Sequence, residues 1–409
     1  MGGHDDRHPR VLPVRVLPVT VTAVTIAGLC LVAGAGPVSA SPGAASRAAG
    51  STAASAGSAP WRIVARTNSA LTTIVTPAAG SAWALGEKGS PGSASLPAGV
   101  RWNGRRWSPV TFPAAVKGGI GCAASTSPSD VWAFAGSSLF GNSASYAGAL
   151  RLSGTKWVVK KNFVPAGIVS GCTVLSPTNA WVYGLAHVAR GVGTWRLTGN
   201  SWRPAKTGTF ALISASEVSA RDIWAMAEDR HGFDDVIAHW NGRSWRSDPA
   251  FAAALPAQSA TLTWGVSAIN AVGAGNVWVA GRISRENSDG TFVASRFVLH
   301  LAKGKWRKVG RSNPGYYLPG AVSDGHGGWW SQGTGFDFGF GTPSAKPHLL
   351  HESGGHWSRV TIAAPKGYKM QIMDAVRVPR SGAMLAIAEL FNGTPTLRSV
   401  VLAHGKLPK

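Results

Sequence analysis

Short apolar runs alternate with turn-forming residues from about residue 60 to the end of the chain. One run recurs: an acidic, amide or small residue, one further residue, a tryptophan, and then small apolar residues. Runs of this length and alternation predict β-strands. The copies occupy residues 81–86, 130–136, 179–184, 222–227, 276–281, 328–333 and a degenerate 382–387 that lacks the tryptophan.

A second recurring element places a glycine just before a tryptophan, between consecutive copies of the first element. Such a glycine is typical of a tight hairpin. The copies of the first element lie about 43 to 55 residues apart, which is the length of a four-stranded propeller blade. The second element occurs at Gly104/Trp107, Gly154/Trp157, Gly199/Trp202, Gly242/Trp245, Gly354/Trp357 and, one residue shorter, at Gly304/Trp306.

The two ends of the repeat region complete each other. The seventh unit supplies a third strand at about 397–403 and only a remnant of a fourth. A strand beginning at Trp61 matches the fourth strands that begin at Trp107 and Trp306. A last blade shared by both termini leaves no open sheet edge. We therefore predict an all-β fold over residues 60–409, a seven-bladed β-propeller with four-stranded antiparallel blades and a last blade closed by both termini.

The repeats resemble those of exported actinobacterial β-propellers built on Asp-Val-Trp-Ala-Val-Gly and His-Trp-Asn-Gly-x-x-Trp. Residues 130–133 (DVWA) and 239–245 (HWNGRSW) carry the match, which covers residues 60–409. The repeats are also similar to the central propeller domain of galactose oxidase and to kelch blades. The resemblance implies a fold and says little about activity.

The first 40 residues predict a signal peptide. Arg7, Arg10 and Arg15 precede an apolar stretch at about 16–32, and small residues at 38–40 provide a cleavage site. Residues 41–59 are rich in Ala, Ser and Gly and predict a flexible spacer. The expected product is secreted, either extracellular or associated with the cell wall, with no transmembrane span after signal removal. An uncleaved anchor is the alternative.

The chain is strongly basic, with 40 Lys and Arg against 18 Asp and Glu and a net charge of +22. This charge favours anionic partners, although a general solubility effect explains it equally well. The basic residues concentrate on the hairpins between third and fourth strands, for example at Lys303, Lys305, Arg307 and Lys308. Many acids lie instead in or beside the loops between second and third strands: Glu87, Glu228, Asp229, Asp234, Asp235, Glu286, Asp289, Asp337 and Glu389.

Two cysteines follow the predicted signal peptide. Cys122 and Cys172 precede the tryptophans of their repeats by similar distances, so they occupy equivalent points on neighbouring first strands. Disulfides persist in exported proteins. A Cys122–Cys172 bond and a pair of free thiols both fit the sequence, because equivalence alone does not fix the distance between the α-carbons.

No nucleophile elbow, phosphate loop or zinc-ligand spacing occurs, so we predict no metal site and no cofactor. His239, His300 and His351 fall on third strands, where a packed or solvent-edge histidine is expected. The loops between second and third strands share one face with the crossovers between blades, and ligands of propellers often bind there. On this loop face we predict ligand-binding residues at Glu228, Asp229, His231, Asp234, Asp235, Glu286, Asp289, Tyr316, Tyr317, Phe336, Asp337 and Phe338.

These features favour a secreted, non-catalytic propeller that binds an extracellular glycan, an anionic cell-wall polymer or a protein through its loop face. We expect a monomer that has no specific nucleic-acid partner. A secreted glycan-active or lyase-type enzyme is the alternative, because aromatic side chains near carboxylates can also hold a sugar for acid–base catalysis. A purely structural scaffold would use the same fold.

Overall fold

The structure is a computed structural model of the whole chain. The predicted signal peptide and spacer lie outside the residues that it describes. It describes residues 60–89, 95–137, 146–184, 192–229, 235–309, 322–323, 329–332, 344, 346–353, 356–394 and 398–408.

These residues form seven four-stranded antiparallel sheets, numbered here after the repeats. Sheet 1 contains β2 (Ala70–Ala78), β3 (Ser81–Lys88), β4 (Leu96–Trp102) and β5 (Trp107–Pro109). Sheet 2 contains β6 (Gly119–Ser127), β7 (Asp130–Ser137), β8 (Gly148–Ser153) and β9 (Lys156–Asn162). Sheet 3 contains β10 (Gly171–Ser176), β11 (Asn179–Tyr183), β12 (Trp195–Thr198) and β13 (Ser201–Pro204).

The other sheets follow the same order. Sheet 4 contains β14 (Phe210–Ser219), β15 (Asp222–Asp229), β16 (Asp235–Trp240) and β17 (Trp245–Ser247), followed by a short helix, α1 (Pro249–Ala253). Sheet 5 contains β18 (Leu262–Gly273), β19 (Asn276–Glu286), β20 (Phe292–Ala302) and β21 (Lys305–Lys308). Sheet 6 contains β22 (Val322–Ser323), β23 (Trp329–Gln332), β24 (His348–Ser353) and β25 (His356–Thr361). Sheet 7 contains β26 (Lys369–Arg377), β27 (Met384–Phe391), β28 (Ser399–His404) and β1 (Arg62–Thr67).

Sheet 7 therefore joins strands from both ends of the described chain. β1 pairs antiparallel with β28, with Arg62 opposite Ala403 and Thr67 opposite Ser399. The strand that begins after Trp61 thus occupies the fourth position in its sheet, as β5 and β21 do in theirs.

First strands contact one another from sheet 1 through sheet 5, between sheets 6 and 7 and between sheets 7 and 1, and most of them contain a β-bulge. β2 contacts both β6 and β26, and β14 contacts both β10 and β18. The bulged residues, each unpaired at a shift in register, are Thr72, Gly121, Ile213, Ser267 and Met373. A bulge increases the local twist of a strand. The first strands of sheets 1, 2, 4, 5 and 7 are therefore twisted at equivalent positions along their length.

Tryptophans from the two repeat elements pack between the sheets. The second-strand indole of one sheet meets the fourth-strand indole of the next, edge to face. Each pair packs two large apolar rings in the geometry that aromatic rings prefer. The centroid distances are 5.3 Å for Trp83–Trp157, 5.7 Å for Trp132–Trp202, 5.6 Å for Trp181–Trp245 and 6.2 Å for Trp224–Trp306.

A disulfide adds a covalent link between sheets 2 and 3. Cys122 and Cys172 are bonded, with an S–S distance of 1.97 Å and α-carbons 5.9 Å apart. Both cysteines are buried, and they lie on β6 and β10, the first strands of their sheets. The bond therefore holds neighbouring first strands together.

Candidate functional site

The loop face is the edge of the sheets where second strands end and third strands begin. In sheet 4, Glu228 and Asp229 end β15, and Asp235 begins β16 directly opposite Glu228. In sheet 5, Glu286 ends β19 opposite Phe292, the first residue of β20. The structure therefore places these four predicted acids on the same edge of two consecutive sheets.

The remaining predicted ligand-binding residues, apart from Asp289, lie outside the described residues and stay predictions. They are His231, Asp234, Tyr316, Tyr317, Phe336, Asp337 and Phe338.

Asp235 links sheet 4 to sheet 5. Its Oδ2 accepts a hydrogen bond of 2.5 Å from the backbone N–H of Val266 on β18, the first strand of the next sheet. A carboxylate that accepts a backbone N–H forms a charge-assisted bond, which is stronger than a neutral one. Asp235 therefore holds two sheets together at the loop face, and one of its oxygens is already engaged.

Asp289 shapes a turn. Its Oδ1 accepts hydrogen bonds from the backbone N–H of Thr291 at 2.9 Å and from the Thr291 hydroxyl at 2.6 Å. These bonds lower the pKa of Asp289, because they favour the charged carboxylate. The Asn287 side chain also donates to the Thr291 hydroxyl, at 2.9 Å. Asp289 therefore fixes the turn between β19 and β20, with Gly290 at a φ of 77° completing it.

The turn forms the end of a long hairpin in sheet 5. β19 and β20 have 11 residues each, whereas the corresponding β15 and β16 of sheet 4 have eight and six. Residues 285–293, called the tip hairpin below, contain two exposed apolar side chains. Phe292 is 70% exposed and Val293 is 57% exposed. As consecutive residues of β20 they project from opposite faces of the hairpin, so each face carries one exposed apolar side chain.

Sequence reasoning placed only a loop with acids at this point. The missed signal is the continuous strand pattern through Ile283 and again from Phe292. Polar residues at 284–291 interrupt that pattern, and the hairpin's two arms pair in register from Val277 opposite Leu301 to Glu286 opposite Phe292.

A second acidic group lies at the loop-face ends of sheets 1 and 7. Glu87 and Glu389 are buried near the ends of β3 and β27, at 1% and 8% exposure. Burial, together with the charge of the Glu87 carboxylate, raises the pKa of Glu389 to about 7. A buried acid with a pKa near 7 has the acidity that proton transfer requires. Both carboxyls are buried, and we assign both a structural role.

Two further carboxyls with raised pKa values lie on first strands, Asp374 buried and Glu217 half-buried. Asp374 on β26 accepts hydrogen bonds from the backbone N–H of Ile74 at 2.9 Å and of Ala375 at 2.8 Å. Burial nevertheless raises its pKa to about 8, and burial raises the pKa of Glu217 on β14 to about 8 as well. The Ile74 bond crosses from sheet 7 to sheet 1, so Asp374 joins these sheets as Asp235 joins sheets 4 and 5.

The acid of the Asp-x-Trp motif holds the tryptophan and a base on the third strand. Asp130 Oδ1 accepts from Trp132 Nε1 at 2.9 Å and contacts the Arg151 guanidinium at 3.1 Å. Asp222 Oδ1 accepts from Trp224 Nε1 at 2.9 Å and lies 2.9 Å from His239 Nε2. These acids are therefore structural.

A guanidinium group or an imidazole ring packs over the second-strand tryptophan in each of sheets 1 to 6. The guanidinium carbons of Arg101 and Arg196 lie 4.7 Å from the ring centroids of Trp83 and Trp181. The histidines stack directly on the tryptophan rings. The ring-centroid distances are 4.2 Å for His239–Trp224, 3.7 Å for His300–Trp278 and 4.1 Å for His351–Trp330.

The described part of the chain contains no cluster of three or more His, Cys, Asp or Glu side chains that could hold a metal ion. Within the same part, no helix is long and apolar enough to cross a membrane.

Comparison with known proteins identifies a fold. No protein-family model matches the chain, and no curated protein matches it. Among solved structures, YCF48 bound to a D1 peptide matches with a TM-score of 0.50 and 11% identity, over 85% of this chain and 97% of that chain. YCF48 is a β-propeller, and together with the four-stranded antiparallel sheets this likeness shows a propeller fold.

Two weaker neighbours are also propellers. BamB from Moraxella catarrhalis matches with a TM-score of 0.38 and 10% identity, over 84% of this chain and 98% of that chain. Trypanosoma rangeli sialidase in complex with the inhibitor DANA matches with a TM-score of 0.40 and 11% identity, over 85% of this chain and 55% of that chain.

Proposed function

We propose that this chain is an exported, non-catalytic binding module that recognises an extracellular protein through its loop face. The scaffold is a ring of seven blades whose last blade is closed by both termini. The seven four-stranded sheets, the pairing of β1 with β28 and the contacts between neighbouring first strands support such a ring. The basic and apolar N-terminal stretch supports export.

The tip hairpin is the observation that carries the proposed binding function. Among the glycan, cell-wall polymer and protein considered from the sequence, a protein best fits a long hairpin with exposed Phe292 and Val293. Large apolar side chains at the centre of a contact supply most of the affinity in protein interfaces. A sugar ligand, in contrast, favours a concave site with converging polar groups.

The outer edge of β20 supports the same conclusion. β21 pairs with β20 only from Leu299 to Ala302, and Val309 donates to Val298 at 2.9 Å. Within the described residues, 292–297 pair with β19 alone. A strand edge of this kind can accept an extended peptide by β-strand addition, with backbone hydrogen bonds supplying affinity. YCF48 is a propeller whose structure contains a bound peptide.

Site-specific photocrosslinking tests this function. A photoreactive amino acid replaces Phe292, and the protein is exposed to the extracellular and envelope fractions of the cells that produce it. We expect one discrete protein adduct, identified by mass spectrometry and lost when Val293→Ser is added. The matched control carries the same photoreactive residue at Val158, which is 38% exposed on β9, far from the loop face.

The two positions must behave differently. Identical adducts from both would show nonspecific capture, and glycan adducts alone at position 292 would replace the protein partner by a sugar. Circular dichroism and the melting temperature of each variant establish that the fold is retained. Hydrolysis of extracellular glycans by the pure protein would contradict the non-catalytic assignment.

A further inference from the structure

A surface groove runs between sheet 7 and sheet 1, away from the tip hairpin. Its volume is about 650 Å³, within the range of ligand sites in proteins, roughly 300–1,000 Å³. β1 forms one wall from Val64 to Thr67, and β4 and β5 form the other. The indoles of Trp102 and Trp107 line it, with ring centroids 5.8 Å apart.

The groove is basic. Arg66, Lys88, Arg105 and Arg106 line it, and no carboxylate is among its lining residues. All four side chains are exposed, and none forms an ion pair within the described part of the chain. Asn103 Oδ1 accepts hydrogen bonds from the backbone N–H groups of Arg105 at 3.1 Å and Arg106 at 3.0 Å, which fixes the turn that carries them. The cations are therefore presented on ordered backbone.

A departure from the repeat accompanies the groove. Leu385 pairs with Ala403, which lies opposite Arg62, the residue after Trp61. By this register, Leu385 and Ala403 occupy the positions that Trp83 and Arg101 occupy in sheet 1.

Sheet 7 thus has a leucine and an alanine where sheets 1 to 6 have a tryptophan covered by Arg or His. Trp107, the fourth-strand indole of sheet 1, consequently has no second-strand indole from sheet 7 to pack against. It lies instead beside Trp102 and the cluster that contains Leu385. The smaller side chains leave indole surface of sheet 1 available to line a groove.

The charges are spread along the groove. Lys88 lies opposite Leu96 at the start of β4, and Arg105 and Arg106 follow the other end of that strand. The seven residues of β4 span roughly 20 Å at about 3.3 Å per residue. Cations at both ends of such a length match a chain with repeated negative charges better than a single small anion.

We propose that this groove binds an acidic polysaccharide. The arginine guanidinium groups would pair with its carboxylates in the planar, two-bonded geometry that arginine favours. The faces of Trp102 and Trp107 would contact the apolar faces of sugar rings. The groove and the tip hairpin lie on different parts of the molecule, so this site binds its ligand independently of the protein partner proposed above.

Isothermal titration calorimetry with oligogalacturonate at physiological salt tests the site. The groove variant carries Arg66→Gln, Arg105→Gln and Arg106→Gln. The matched control removes equal charge from exposed positions on sheets 4 and 5, with Arg243→Gln, Arg246→Gln and Lys305→Gln. We expect the groove variant to bind at least about tenfold more weakly and the control to change less than about twofold, because charge-assisted bonds are local. Equal losses in both variants, or no binding by the parent, would overturn the proposal.

Two further probes separate sugar recognition from general attraction to polyanions. Neutral dextran should not bind, and inorganic polyphosphate should bind more weakly than oligogalacturonate. Trp102→Leu should weaken binding of the glycan and leave binding of polyphosphate unchanged. The melting temperature of the variant reports whether its fold is retained. Polyphosphate binding as tight as glycan binding, together with no effect of Trp102→Leu on glycan, would show that sugar rings play no part.

Discussion

Trp61 packs edge to face against Trp330, with ring centroids 5.4 Å apart and ring planes at 90°. The contact joins the beginning of the described chain to the second strand of sheet 6, and it repeats the geometry of Trp83 with Trp157. β1 is thus held by its backbone pairing with β28 and by an aromatic contact with the preceding sheet.

Replacing Trp61 by Ala should destabilise the fold by about 3–5 kcal/mol, the usual cost of removing a buried tryptophan. Chemical denaturation measures this loss. Arg62→Ala is the control, because its exposed side chain donates one hydrogen bond to the Gly405 carbonyl at 2.6 Å. That variant should lose about 0.5–1.5 kcal/mol. Equal small losses in the two variants would mean that β1 contributes little to the fold.

The repeating framework was predictable because its signals are local. A tryptophan within a short apolar run and a glycine before the next strand recur at positions that the structure gives to second strands and hairpins. The Arg and His side chains that pack over the second-strand tryptophans also have a local signal in the sequence, and that signal was missed. Arg101, Arg151, Arg196, His239 and His351 each stand three residues before the hairpin glycine, and His300 stands four before it. Their distance in sequence from the second-strand tryptophans varies with the length of the loop between second and third strands. No fixed spacing from the tryptophan therefore identifies them.

The loop face and the groove depend on contacts between distant residues. Asp235 was predicted as a ligand group, but its bond to Val266 depends on how two sheets pack. The groove depends on Leu385 and Trp107, which lie far apart in sequence and meet only where sheet 7 contacts sheet 1. Alternation and turn signals describe single strands and hairpins, so they do not report such packing.

Asp130 gives a second prediction. Asp130→Ala should destabilise the fold by about 1–3 kcal/mol, because it removes the acceptor of Trp132 Nε1 and the partner of Arg151 at a buried position. Asp130→Asn should lose less, since Asn276 supplies an amide oxygen to His300 Nε2 at 2.8 Å from the equivalent position. Thermal and chemical denaturation compare the two. If Asp130→Asn loses as much stability as Asp130→Ala, the charge, and not the hydrogen-bond acceptor, is required.

The disulfide gives a third. Replacing Cys122 and Cys172 together by Ala should lower stability by about 2–4 kcal/mol, since the bond closes a loop between residues 50 apart in sequence. Denaturation of the parent with and without a reductant provides the comparison. Reductant should destabilise the parent and leave the double variant unchanged. If the oxidised parent and the double variant are equally stable, the disulfide does not stabilise the fold.

Stability should also depend on pH in an unusual direction. Burial raises the pKa of Glu217 and Asp374 to about 8, and burial with the Glu87 charge raises that of Glu389 to about 7. In the unfolded chain these carboxyls titrate near pH 4. Between about pH 4 and pH 8 the folded chain therefore binds more protons, so stability falls as pH rises. The contribution is complete below about pH 4 and is lost as pH rises through 7 to 8.

Glu217→Gln tests this dependence, because the amide keeps the size of the side chain and does not ionise. Relative to the parent, the variant should gain several degrees in melting temperature at about pH 8.5 and much less at about pH 5. Glu286→Gln in the tip hairpin is the matched control. Its melting temperatures at the two pH values should differ by the same amount as those of the parent. Melting curves of the three proteins across this range measure the effect. If the parent is as stable at pH 8.5 as at pH 5, and Glu217→Gln shifts both values equally, the buried carboxyls do not govern the pH dependence of this fold.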